Sequence, residues 1–449
     1  MMSGLSTDLY QLTMMAGYYA ADVTGLSTFE LFVRHLPPHR SFLVSAGLDQ
    51  ALDYLANLEF TDEEIQYLRR LPALRGVPAD FFDRFLPEFR FSGEVWAAPE
   101  GTPIVPPAPF LRVTAPAPEA QVVETALLAI LTFQTSIATK AARLVEAAAG
   151  RQVIEFGTRR AHGLEAGLHA ARAAVIGGCV ATSNVEAGFR FGLPLAGTMA
   201  HSWVLTFPDE IEAFRRFAAL YGERAVLLID TYDSLRAAER IVASGLRPAA
   251  VRLDSGDVVS LSRSVRRILD AGGLTDTKIL ASGDLDEYQI ARIVAQGAPV
   301  DGFGVGTALS TSSDAPALGG VYKLVEVERD GVMAPVMKLS ADKRTLPGCK
   351  QVWRVHEDGV ASFDVIGRAG ERGPSGGEPL LGRVMSGGRR DAPGAPISEL
   401  QARCRRNVSR LRPSVRRLEN PDRYPVQVSD ELSRLADAVV RGAPGASGV

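Results

Sequence analysis

The chain has 449 residues, of which 46% are hydrophobic and 22% charged, with a formal net charge of −3. That is a globular composition, and the near-neutral balance argues against nucleic acid as the main partner, although small anionic substrates need only a local cluster of donors. Three scattered cysteines, Cys179, Cys349 and Cys404, exclude a disulfide framework and a four-cysteine zinc site and predict a reducing, cytoplasmic compartment; no signal peptide or membrane-length apolar run is visible.

Residues 1–115 read as an α+β domain. Ser6 or Thr7 is placed to cap a helix through LYQLTMMAGYY, and STFELFVR (27–34) alternates like a strand. Thr61 and Glu64 form a capping box before EIQYLRRL, and β-rich, proline-punctuated segments follow from Phe91 to Thr114.

Residues 116–330 follow a different grammar. VVETALLAILTF and ATKAARLVEAAAG read as two helices, the second stopped by Gly150. Short apolar strands then recur at 152–156, 179–182, 195–198, 225–230, 250–254, 278–282 and 300–305, and the later ones alternate with amphipathic helices ending near Gly245, Gly272 and Gly297. Such repetition predicts a parallel sheet buried on both faces. Closed into a barrel, it places its site at the C-terminal ends of the strands.

In residues 331–449, MAPVMKLSADKRTLPGCKQVWRV reads as hairpin material with a polar loop. Residues 368–396, rich in Gly, Pro and Arg, read as a flexible loop, SDELSRLADAVV as a helix, and RGAPGASGV as a frayed tail. This part is expected to pack back on the N-terminal domain.

Every predicted strand of the middle region runs into small, polar or charged residues: GTRRAHG (157–163), SN (183–184), MAHS (199–202), TYDS (231–234), SGD (255–257), GD (283–284) and GTALS (306–310). One polar strand end is usually a helix cap, a reading that suits Asp233, Ser255 and Asp284. Seven in series, carrying Arg, His, Asp and Gly, point to one converged pocket. Arg252 lies inside an apolar strand, so its guanidinium needs an anion: either Asp254, as a structural pair, or a ligand phosphate or carboxylate. GFGVGT (302–307) is a poor dinucleotide fingerprint but a good phosphate loop of a barrel, with backbone N–H groups near Gly306 and Thr307; ASGD (281–284) is a second such loop. No P-loop is present. Asp230, Asp254, Asp257 and Asp284 share the rim and are suited either to capping or to a magnesium–phosphate complex. His201 follows a strand in a small-residue context, where its imidazole is either structural or a nucleophile or base.

The segments DLYQLTM (8–14), FELFVR (29–34), QTSIATKAAR (134–143), EFGTRRAHG (155–163), ATSNVEAG (181–188), GTMAHSWV (197–204), LLIDTYDS (227–234), VRLDSGDV (251–258) and GVGT (304–307), with LPGCKQVWR (346–354) and ENPDRYPVQVS (419–429), resemble in order the signature segments of nicotinate phosphoribosyltransferases. The resemblance implies an irregular, TIM-like α/β barrel beside a sandwich-like α+β domain built from N- and C-terminal segments. It implies transfer of phosphoribose from phosphoribosyl pyrophosphate (PRPP) to nicotinate in NAD salvage, with Mg2+ and with ATP hydrolysed through a phosphohistidine at His201. It implies a homodimer with a shared site, to which the partner chain contributes Tyr10. Phe156 would stack on the pyridine, Arg159 would lie near the base and ribose phosphate, and Arg252 and Asp254 would contact the ribosyl part and base. Gly283, Asp284, Gly306 and Thr307 would hold the 5′-phosphate and ribose, and Lys140 would approach the pyrophosphate. Magnesium would travel with PRPP near Asp254 and Asp284; the cysteine clusters of some relatives are absent, so no structural metal is predicted.

Amide-specific relatives carry an aspartate where this chain has Asn184, so Ser183 and Asn184 favour the acid. Ala181 replaces a glycine common in the family. The alternatives are a phosphoribosyltransferase for nicotinamide or another pyridine base, a sugar-phosphate barrel lyase or aldolase, and a non-catalytic nucleotide-binding regulator. The lyase needs a strand-end lysine or a metal-binding His/Glu set, and no predicted barrel strand ends in lysine.

Overall fold

The structure is a computed structural model that describes residues 3–340 and 345–442. Two compact units emerge, one of residues 1–135, 317–396 and 402–449, the other of 136–316 and 397–401. The divisions fall near 135 and 316, against the sequence-derived 115 and 330.

In the first unit a seven-stranded antiparallel sheet interleaves both ends of the chain. Leu26–Val33 lies between Leu111–Pro116 and Gly320–Arg329, so residues nearly 300 positions apart share one ladder. Phe29 and Tyr322 stack with centroids 4.7 Å apart, and Leu31, Val95, Val113 and Met385 are buried with them in one core. The capping box at Thr61 forms as expected and starts the helix Asp62–Arg70.

Several elements differ from the sequence reading. The first helix, Leu9–Ala20, takes Asp8 as its cap residue. The Thr7 hydroxyl donates instead to the Val122 carbonyl at 2.9 Å. The two helices expected at 122–133 and 138–150 are one unbroken helix, Glu124–Ala147, preceded by a short helix, Ala117–Val122. No proline or glycine lies at 134–137 between the two expected helices, so nothing stops the hydrogen-bond ladder there. The loop expected at 368–396 contains strands Gly377–Pro379, Gly382–Ser386 and Arg389–Arg390. The first pairs with Lys350–Glu357 and the second with Glu94–Ala97. Arg390 grips Asp49 and, at 2.6 Å, Asp53. Local composition gave no sign of these distant partners. A helix over Ile397–Ser409 also has no counterpart in the sequence reading, whereas the expected C-terminal helix is present as Asp430–Gly442. The polar loop around 341–344 and the tail from 443 lie outside the described residues.

The second unit holds six parallel strands in the order Ala181–Thr182, Gln152–Glu155, Gly302–Val305, Lys278–Ala281, Ala250–Leu253, Val226–Leu228. The sheet curls into an open half-barrel. The strand expected at 195–198 is reduced to a single bridge between Thr182 and Leu195. Helices Ser234–Ala243, Val258–Ala271 and Glu287–Ala295 alternate with the later strands. Val251, Leu253, Ile279, Ile241 and Leu269 are buried together in one core. This explains the apolar strands, and Arg252 is the one strand residue of Ala250–Leu253 that is not fully buried. No described helix is long and apolar enough to cross a membrane. All three cysteines are free thiols.

Candidate active site

The strand ends of the second unit converge on a cavity of about 450 Å3. Of the residues singled out by sequence, Phe156, Arg159, Ser183, His201, Arg252, Asp254, Gly283, Asp284, Gly306 and Thr307 line it. Arg160, Ser282 and the segment Gly197–Ala200 line it as well. All of these were legible near strand ends: Ser282 closes the strand KILAS, Arg160 lies in GTRRAHG, and 197–200 spans the expected strand 195–198 and the start of MAHS.

Arg252 is the hub. Its Nη1 donates to Asp254 Oδ1 at 3.2 Å and to Ser282 Oγ at 3.3 Å, and its Nη2 donates to the Met199 carbonyl at 3.0 Å. The Ser282 hydroxyl donates in turn to Asp254. Arg252 therefore pairs with Asp254, the structural partner read from sequence, and it also faces the cavity. Its Nε is buried and finds no acceptor among the described residues. Burial depresses the guanidinium pKa most; Asp254 and Asp230 oppose the shift, and Arg159 adds to it.

His201 opens the helix His201–Leu205. Its Nδ1 lies 3.1 Å from Thr231 Oγ1, and its Nε2 lies 3.9 Å from both Asp230 Oδ1 and Asp254 Oδ2. Asp230 is almost wholly buried, and its Oδ1 has no hydrogen-bond partner among the described residues. Its other oxygen accepts from Asp254 N–H at 3.1 Å and from the Ser255 hydroxyl at 2.6 Å. The imidazole thus stands between two carboxylates, with one nitrogen anchored on Thr231.

The caps fall elsewhere than expected. Asp233 does cap its helix, accepting from Arg236 N–H at 2.9 Å. The next two helices are capped by Asp257 and Asp286, not by Ser255 and Asp284. The helices begin two residues later than read, which leaves Ser255 to Asp230 and Asp284 to the cavity. Gly283 sits at φ +94, where a Cβ would strike the Asp254 carbonyl at 2.0 Å, so the two strand-end loops close on each other only through glycine. Gly304 has the same function for the ring of Phe156: a Cβ there would approach the ring to 2.5 Å.

Besides Asp230 and Asp257, three sequence-derived candidates lie outside the cavity lining. Asn184 is buried as a helix cap: its Oδ1 accepts from Ala187 N–H at 2.8 Å and its Nδ2 donates to Thr158 Oγ1 at 3.0 Å. Lys140 is buried, with its ammonium against Glu287 at 2.5 Å and Asp314 at 2.8 Å. Arg143 shares Glu287 at 2.9 Å. Tyr10, in the first unit, is half-exposed, and its hydroxyl donates to Glu124 at 3.3 Å. Sequence missed a supporting residue, Glu155. It is wholly buried, accepts from Thr182 Oγ1 at 2.5 Å and from Gly157 N–H, and so ties the turn after Phe156 to the turn before Ser183.

Comparison with known proteins converges on the same region. Residues 5–132 match the nicotinate phosphoribosyltransferase (NAPRTase) N-terminal domain and residues 374–436 its C-terminal domain. Residues 137–315, which hold the whole cavity, match the C-terminal domain of quinolinate phosphoribosyl transferase. A nicotinate phosphoribosyltransferase of Mycobacterium tuberculosis is 44% identical, over 97% of this chain and 94% of its own. The chain belongs to the nicotinate phosphoribosyltransferase family. The Bacillus subtilis nicotinate phosphoribosyltransferase is 39% identical over 95% of this chain and 93% of its own. The crystal structure of human nicotinic acid phosphoribosyltransferase superposes with a TM-score of 0.85 at 29% identity, covering 96% of this chain and 99% of that one. Within a nicotinate phosphoribosyltransferase frame, the Arg252–Asp254–Ser282 cluster and His201 stand together at the strand ends. Among the described residues no lysine lines the cavity, so none of them offers the Schiff-base amine an aldolase would need there.

Proposed function

We propose that this enzyme joins nicotinate to the C1 carbon of PRPP in NAD salvage, giving nicotinate mononucleotide and pyrophosphate, with ATP hydrolysis coupled through His201. The observation that carries this reading is the single cavity in which Phe156, the Arg252–Asp254–Ser282 cluster, two glycine-bearing loops and His201 meet.

The pyridine nitrogen supplies the electron pair for the new N–C1 bond, and the C1–O bond breaks, its pair leaving with pyrophosphate. Nicotinate is a weak nucleophile, so positioning dominates over proton transfer. Phe156 offers a face for the ring, and Arg159 and Arg160 make the rim cationic, which favours a carboxylate over an amide. Ser183 carries no charge to repel it. Backbone around Gly306 and Thr307 suits the 5′-phosphate. Magnesium arrives with PRPP, and Asp254 and Asp284 are the rim carboxylates that face the cavity. Asp254, a carboxylate facing the cavity, is suited to stabilise the positive charge that grows on the ribose.

In the tautomer whose Nδ1–H donates to Thr231, His201 Nε2 presents its lone pair. That nitrogen accepts the terminal phosphoryl group of ATP, ADP leaves, and water later cleaves the N–P bond to phosphate. Tyr10, half-exposed on the first unit, is assigned to the site of a partner chain in a homodimer. A cytoplasmic location fits the three free thiols.

The test is product formation by mass spectrometry with PRPP and magnesium, for nicotinate, nicotinamide and quinolinate, with and without ATP, in the parent and in His201→Ala. The parent forms nicotinate mononucleotide preferentially and faster with ATP, and the variant keeps slow transfer but loses the ATP effect. Equal ATP stimulation in both removes the phosphohistidine. Turnover of another base alone overturns the assignment of the acid.

A further inference from the structure

The first unit contains a second cavity, of about 400 Å3, that shares no residue with the one above. One wall is the helix Ile397–Ser409 and its cap residue, which bring Arg403, Arg406 and Arg410 to the cavity at i, i+3 and i+7. The facing wall is the strand Lys350–Glu357, through Arg354 and His356, and the segment Glu378–Leu381 closes one side.

The charges here are not balanced. Arg354 is buried but fully matched: Asp364 takes it in a fork at 2.9 and 2.8 Å, with Tyr424 donating to the same carboxylate at 3.0 Å. Arg403 donates to the Glu100 carbonyl at 3.2 Å. Arg406 and Arg410 make no side-chain hydrogen bond or ion pair with any described residue, and both line the cavity. Glu378 is the one acidic side chain in the lining, 4.0 Å from His356 and largely exposed. Burial, with Arg410 and Arg354 adding to it against Glu378, holds the His356 imidazole below its usual value.

Two unmatched guanidiniums at the edge of a partly apolar cavity are the geometry that captures phosphate, by forked and charge-assisted hydrogen bonds. The volume lies within the range of small-molecule sites. We propose that this cavity binds a phosphorylated small molecule, its phosphate held by Arg406 and Arg410 and its organic part resting on Pro379 and Leu380. The proposal does not depend on the chemistry of the barrel site.

Hydrogen–deuterium exchange on the full chain locates the binding. The probes are inorganic pyrophosphate and ATP, each titrated against the parent and against the double variant Arg406→Glu/Arg410→Glu. Arg406→Gln/Arg410→Gln serves as the milder second variant should charge reversal disturb the fold. Either anion is expected to protect residues 350–357 and 397–410 in the parent, and both variants should weaken that protection at least about tenfold while leaving protection at the barrel loops around 252–257 and 282–284 unchanged. Protection by ATP but not by pyrophosphate supports a site that also needs the organic part. The proposal is overturned by protection confined to the barrel loops, or by protection at 350–357 and 397–410 that survives both double variants.

Discussion

At the scale of single residues, base selection separates two neighbours that sequence treated as one. Ser183 lines the cavity, whereas Asn184 is spent on capping a helix and on Thr158. Aspartate is as good a cap as asparagine. Asn184→Asp should therefore leave both Tm and the preference for nicotinate nearly unchanged. Ser183→Asp places a carboxylate beside the bound carboxylate and should raise KM for nicotinate by about tenfold or more, with nicotinamide gaining relatively. A shift in preference from Asn184→Asp, with none from Ser183→Asp, would reverse the assignment. Glu155 gives a pH test. Burial raises its carboxyl above the ordinary 4.5, against the hydrogen bonds from Thr182 and Gly157. A raised folded-state value favours the protonated acid in the fold, so its contribution to stability is full below the ordinary value and is lost as pH rises through the folded-state value. Glu155→Gln keeps the neutral shape at every pH. Its Tm should gain on that of the parent as pH rises above the ordinary 4.5; parallel Tm profiles would sink this account.

The scale of elements decides Lys140. Its sequence context, ATKAAR, gave a helix and a cation, and a cation in a phosphoribosyl-transfer family invites a pyrophosphate contact. The helix Glu124–Ala147 instead turns Lys140 and Arg143 onto Glu287, at the start of Glu287–Ala295, with Asp314 beyond. Removing one partner of a buried ion pair strands the other, typically at a cost of about 3–5 kcal/mol. Lys140→Met should therefore lower stability by about that amount in urea unfolding, with KM for PRPP little changed at a temperature where the variant is folded. A large rise in that KM without loss of stability would return Lys140 to the site. The capping box at Thr61 and the β-α alternation were legible because each is set by neighbours within a few residues. The strands at 377–390 were not, because their pairing partners lie at 94–97 and 350–357 and no local period records them.

At the scale of the whole molecule, the proposed homodimer makes a sharp prediction. Arg252→Ala disables the barrel cavity, and Tyr10→Ala removes a residue of the first unit. If each site draws Tyr10 from the partner chain, mixing the two inactive variants yields hybrids with one intact site. Random reassociation should restore about a quarter of parental activity. Size-exclusion chromatography with light scattering should report a dimer for each variant alone. No recovery on mixing, with hybrids shown to form, would remove the shared site.

The sequence by itself determined the class of the second unit, the cavity-lining set from Phe156 to Thr307, and the family. Each of these rests on local period or on short motifs, in which strand ends of a parallel sheet must fall on one side. Only tertiary structure decided which polar residues were free for chemistry. Asn184 and Lys140 carry the right groups but spend them on a cap and a buried ion network. Ser255 and Asp284, read as caps, are released because their helices start two residues later. Ser282 and Glu155 acquire their roles solely from what the fold sets beside them. A side chain's chemistry is written in its type, but whether its donors and acceptors are already met depends on neighbours that the chain brings in from far along its length.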